Sequence, residues 1–164
     1  DSDSVVGSAG TVNFGDGLAV SPVSAGVVTV TASGGSLQSR TIVSASTTSI
    51  ADDAVGFTTA AGFKAYTLMK VGVSTAAWIR IYTDSTSRAN DSSRSVGEDP
   101  SPGSGVIAEV VTTGISTQQM ITPFAMGGNM DDPVSNVIYL AIKNLSGSTQ
   151  TITANLTILQ LEAQ

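Results

Sequence analysis

The chain has 164 residues, enough for one ordinary domain with a small appendage and a sizeable core. It carries a net charge of −6 with only 7 Lys and Arg, and no Cys or His. That excludes disulfides, zinc–thiolate and iron–sulfur sites and His-dependent triads, and it argues against a nucleic-acid binder, which needs a basic face.

Charged residues make up 12% of the chain, about half the usual share. Ser and Thr fill about a quarter of the positions, a bias towards strands and turns. No stretch sustains helical periodicity, so we expect an all-β protein with a polar, uncharged surface. No apolar run is long enough for a membrane-spanning helix, and 5% aromatics are too few for the girdles of a transmembrane barrel. A first residue of Asp1 rather than Met leads us to expect a trimmed N-terminus.

In chain order, residues 11–31 predict a three-stranded meander. Val12 and Phe14 alternate with polar neighbours, Asp16-Gly17 turns the chain, and Leu18 and Val20 continue the alternation. Val28 and Val30 lie in the next run. These few apolar side chains cannot stabilise an isolated sheet, so they are expected to pack on the protein or on its copies. The run "SGGS" at 33–36 reads as a flexible joint and sets the expected boundary between segments 1–36 and 37–164.

Strand signals follow at 40–46, 63–74, 77–84, 105–113, 118–124, 136–146 and 150–162, separated mostly by turn residues. Strands at this spacing, with no helical insert, predict an antiparallel β-sandwich or jelly roll. In "AWIRIYTD" the alternation places Ile79 and Ile81 on one face and Trp78, Arg80 and Tyr82 on the other. In the last strand Ile152, Ala154, Leu156 and Ile158 point inward, and Thr151, Thr153, Asn155 and Thr157 form a polar outer ladder. Leu159 and Leu161 interrupt that ladder and predict a further contact, with another chain.

Candidate chemistry is sparse. The pairs Asp52-Asp53, Glu98-Asp99 and Asp131-Asp132 lie in turns, where adjacent side chains diverge and Asp serves turn geometry. "TLMK" at 67–70 puts Thr where a Ser-Lys dyad needs Ser. Asp84, Asn90, Asp91, Glu98 and Asp99 are oxygen ligands around one loop, but the spacing is not an EF-hand and Arg88 and Arg94 sit among them, which favours an ion-pair network over calcium. Lys64, Lys70, Lys143 and Glu109 on strands supply the parts of an amide cross-link, against the simpler reading of lysines reaching out to water. Trp78, Tyr82 and Tyr66 would form a sugar-stacking platform if exposed, and a core or subunit contact otherwise. The expectation is no catalytic residue, no metal and no cofactor.

One resemblance cuts across these elements. The aromatic strand ending in R-x-Y-T-D, a Ser/Arg/Asp loop, G-x-D-P-x-P-G-x-G-V-I-A-E-V and the closing "TITANLTILQLE" together resemble a module of tailed-bacteriophage virion proteins, of the cyanophage and marine-phage type, over residues 40–162. "NFGDGLAVS…GVVTV" is similar to short β-meander units of phage fibre and collar proteins, which tend to trimerise. The resemblance implies a non-enzymatic virion protein, a fibre-like or capsid-decorating surface module, forming a homotrimer and contacting other virion proteins. It also implies that residues 84–105 are a long crossover between strands. Val12, Phe14, Leu18, Val20, Val28, Val30, Leu159 and Leu161 would be its assembly contacts. The alternative is a glycan-binding adhesion module recognising a host surface through Trp78, Tyr82 and Tyr66.

Overall fold

The computed structural model describes residues 18–22, 26–32, 38–114 and 117–162. It divides into two compact units, residues 1–37 and 38–164.

In the first unit, β1 (Leu18–Val20) and β2 (Val30–Ala32) form an antiparallel hairpin with Val20 opposite Val30 and Leu18 opposite Ala32. Ser21 fastens its mouth, its N–H donating to Thr29 O and its Oγ accepting from Thr29 N–H, both at 3.0 Å. Val28 lies before β2 rather than within a strand. The expected first strand of the meander, with Val12 and Phe14, lies outside the described residues.

The second unit is the expected antiparallel β-sandwich. Its strands are β3 (Thr41–Ser46), β4 (Val55–Ala61), β5 (Ala65–Val73), β6 (Ala77–Tyr82), β7 (Val106–Thr112), β8 (Gln118–Gly128), β9 (Val137–Asn144) and β10 (Thr153–Gln160). One sheet has the order β3-β10-β5-β8 and the other β4-β9-β6-β7. The pairings are nested: β6 with β7, β5 with β8, β4 with β9 and β3 with β10. They amount to one long two-chain ribbon, β3 to β6 against β10 to β7, wound so that its successive parts alternate between the sheets. That winding is compatible with a jelly roll.

In β6 and β10 the inward faces follow the predicted alternation. Leu68, Val71, Ile79, Ile81, Leu140, Ile142, Ile152, Leu156 and Ile158 are all buried in one apolar core. On the outer face of β10, Asn155 accepts from Ser44 Oγ at 2.6 Å, and Thr153 bonds Ser46 at 2.8 Å, so the polar ladder is a real cross-strand network.

Two elements depart from the sequence reading. β4 was not expected, because "VGFTTAA" offers only small residues to the core. Gly56 is needed there, since a Cβ would lie 2.9 Å from Thr47 Cγ2. A short helix, α1 (Ser85–Asn90), follows β6. Asp84 starts it, its Oδ1 accepting from Ser87 N–H at 2.7 Å and its Oδ2 from Ser87 Oγ at 2.7 Å. Six residues are too few to display a period, so only the cap was there to be seen.

Truncating Leu156, fully buried on a central strand, to Ala is expected to cost about 2–5 kcal/mol in urea unfolding. Ile42→Ala, at a side chain 62% exposed on the outer face, should stay within about 0.5 kcal/mol.

Candidate functional site

The segment from Thr83 to Gly105 is the most polar part of the chain, and the structure makes it a lid. It joins β6 to β7, which pair directly, so it is a long hairpin connection within one sheet and not the expected crossover. It lies on the outer face of that sheet. All six residues of β6 are buried, the outward-pointing Trp78, Arg80 and Tyr82 as completely as the core-facing Ile79 and Ile81.

Asp91 holds the lid down. Its Oδ2 accepts from Tyr82 Oη at 2.6 Å and from Arg80 Nη1 at 3.1 Å, while its Oδ1 accepts from Arg94 Nε at 2.8 Å. Arg80 Nη1 also donates to the Asp91 carbonyl at 2.7 Å. Arg94 reaches across to Glu109 on β7 at 2.8 Å. Both guanidiniums cover the indole of Trp78, Arg80 at 4.1 Å and Arg94 at 4.9 Å from the ring centroid. Arg80 is fully buried, and its Nε and Nη2 have no hydrogen-bond partner among the described residues, so the indole face provides part of its electrostatic compensation. From α1, Arg88 donates to Thr58 O at 2.9 Å and lies between the rings of Phe57 and Tyr139, at 5.0 and 5.1 Å.

The structure places the residues that the sequence singled out. Trp78, Tyr82 and Tyr66 are each 1% exposed, so none offers a ring face to a sugar. Trp78 and Tyr82 lie beneath the lid, and Tyr66 lies in the core. Burial raises the hydroxyl pKa of both tyrosines, reinforced at Tyr82 by its bond to Asp91. The loop acids do not converge as a calcium cage would require. Asp84 caps α1, Asp91 serves the arginines and Glu98 accepts from Ser95 N–H at 3.1 Å. Among the described residues no group of three or more acids is placed to hold a metal.

Two further acids, Asp131 and Asp52, are held by hydrogen bonds in turns. Asp131 accepts from Asn129, Ser135 and Tyr139 at 2.8–3.1 Å, and Asp52 accepts from Gly147 N–H at 2.9 Å. Lys143 pairs with Asp53 at 2.8 Å, with Asp53 79% exposed, which is an ion pair in water and not the buried setting an amide cross-link needs. Of the assembly residues, Leu18, Val20, Val28, Val30 and Leu161 are exposed, and Leu159 is half-buried.

On the opposite sheet the sequence reading missed a feature. A depression of about 480 Å³ opens over Gly72, lined by Lys70, Gln118, Asn155, Thr157 and Ile42 among others. Gly72 sits between Asn155 and Gln118 on the flanking strands, so the missing side chain leaves a notch between two amides. A mid-strand glycine followed by no turn was its only sequence signal. A scan against protein-family models finds no match to the chain, and a search of curated proteins finds none.

Burial pushes the Asp91 carboxyl up, but hydrogen bonds from Arg94 and Tyr82 and the charges of both arginines outweigh it, holding the group below its ordinary 3.8. The Ser87 N–H lowers Asp84, and the Asn129 amide lowers Asp131. A carboxyl lowered in the folded state stabilises the fold above its unfolded pKa and loses that contribution as the pH falls through the folded value. Stability should therefore decline below about pH 4, and Asp91→Asn should flatten that decline in urea titrations at successive pH values. Asp91→Ala, which strands Arg80 without its carboxylate, should cost about 3–5 kcal/mol at neutral pH.

Proposed function

We propose that this chain is a non-enzymatic structural protein of a phage virion, a fibre-like or capsid-decorating surface module that forms a homotrimer and contacts other virion proteins through β-rich surfaces. The observation that carries this reading is the hairpin's apolar face. Leu18, Val20 and Val30 lie on one side of β1–β2, 39%, 47% and 40% exposed, with Ala19 and Thr31 on the other. A two-stranded hairpin is marginal by itself in water, and a one-sided apolar ribbon calls for a surface to cover it.

Further support comes from β8, an edge strand that exposes Met120, Phe124 and Met126. Bare apolar edges favour pairing with another chain. Asp84, Asp91, Asp131 and Asp52, taken up in a cap, a latch and turns, fit a scaffold better than a reaction centre. Jelly rolls serve both as capsid domains and as lectins, which is an analogy of fold and not of site. The phage assignment rests on the sequence resemblance.

Multi-angle light scattering of the full chain tests the assembly. A trimer mass is expected, falling to a monomer in the Val20→Asp/Val30→Asp variant with the urea midpoint of the sandwich unchanged. A monomeric parent chain would defeat the self-assembly reading.

A further inference from the structure

We propose that the depression over Gly72 is a binding site for a carboxylate-bearing saccharide, such as a uronic-acid oligosaccharide. This goes beyond the assembly reading and does not rest on it.

The glycine at position 72 is one that packing does not require. Gly72 lies in the middle of β5, where a residue without a side chain weakens a strand, and its φ is not positive. A Cβ built on it would come no closer than 3.6 Å to Gln118 Cγ and 3.9 Å to Asn155, which is ordinary contact. The contrast with Gly56, where a Cβ would meet Thr47 at 2.9 Å, is direct. A strand-interior glycine marks a bulge, a tight bend or a site that a ligand or another backbone approaches closely. The register shift of β5 lies between Leu68 and Lys70, not at Gly72, which leaves close approach as the reading that the open space there suits.

The lining says what that is. Lys70 Nζ donates to Gln118 Oε1 at 2.9 Å, and Ser44 Oγ donates to Asn155 Oδ1 at 2.6 Å. Each amide oxygen thus already accepts one hydrogen bond. The Nδ2 of Asn155, the Nε2 of Gln118 and the unused hydrogens of the Lys70 ammonium are donors left for a ligand, beside the hydroxyl of Thr157, which can donate or accept. No acidic residue lines the depression, and Lys70 is its sole charge. Donors on two strands flanking β5 lie about 10 Å apart at the backbone, a span that suits a sugar unit better than a small free anion. Ile42, 62% exposed at the rim, offers an apolar surface for the C–H face of a ring. The carboxylate would pair with Lys70 and the hydroxyls would accept from the two amides. The ring would rest over Gly72.

The test is a titration of the full chain with trigalacturonate, followed by two-dimensional amide NMR, with maltotriose and acetate as controls. Saturable shifts centred on Lys70, Gly72, Gln118 and Asn155 are expected with trigalacturonate alone. Lys70→Met and Gly72→Val should each weaken binding at least tenfold while core amides such as Ile79 keep their positions. Gly72→Ala, for which the sheet has room, replaces the larger substitution if valine disturbs the fold, and should weaken binding in the same direction. The proposal is overturned by absence of saturable shifts, by an equal response to acetate or maltotriose, or by full binding in the variants. Shifts of the same amides on raising protein concentration alone would make the face a contact between copies and overturn it too. Because oligomeric state is read separately by light scattering, failure here leaves the assembly reading standing, and the reverse.

Discussion

The carboxylate of Asp91 is the constraint on which the outer half of the sandwich depends. Without it, β6 would present a tryptophan, an arginine and a tyrosine to water, and the segment between Thr83 and Gly105 would have little reason to fold back. With it, three hydrogen-bond donors converge on one group, and both faces of β6 are buried. A two-layer sandwich thereby acquires a partial third layer made of loop, helix and stacked guanidiniums. The layer is polar in composition, yet its contacts shield the indole as an apolar cover would. Arg80 is the exposed point of this design in energetic terms: a buried cation with two nitrogens lacking hydrogen-bond partners is tolerable only while its carboxylate stays in place.

The core of the fold was legible in the sequence because it obeys period two. Ile79 and Ile81, or Ile152 to Ile158, announce an inner face without help from the rest of the chain. What the alternation could not tell was whether the second face of β6 meets solvent. Trp78, Arg80 and Tyr82 alternate just as a solvated face does, and their burial depends on residues up to sixteen positions downstream that no local pattern connects to them. The ion-pair reading of Arg94 and Asp91 came from counting charges in one loop, and Arg80 escaped it because it lay on a strand. β4 was missed for a related reason: Gly56 and Ala60 face inward where the partner surface is already full, so the strand lacks the large apolar residues that make strands visible.

The two outer faces of the molecule have opposite characters. One is closed by the lid and leaves its aromatics no access to a ligand. The other is open, ordered by short Ser–Asn and Ser–Thr bonds across β3 and β10, and carries the notch over Gly72. Burial of Trp78, Tyr66 and Tyr82 leaves none of these three rings free to stack on a sugar. The exposed methionines of β8 adjoin this open face, with Met120 directly beside Lys70 in register. Methionine adapts its shape to varied neighbours.

The nested winding of the ribbon has a consequence for how the protein comes into being. β10, the last strand, lies between β3 and β5 in the middle of its sheet, not at an edge. During synthesis, β3 therefore waits without its neighbour until more than a hundred further residues have left the ribosome, while β6 and β7 can pair early across their own connection. The pairings of β4 with β9 and β3 with β10 join residues far apart in sequence, the kind that form slowly, whereas β6 and β7 pair across their own connection.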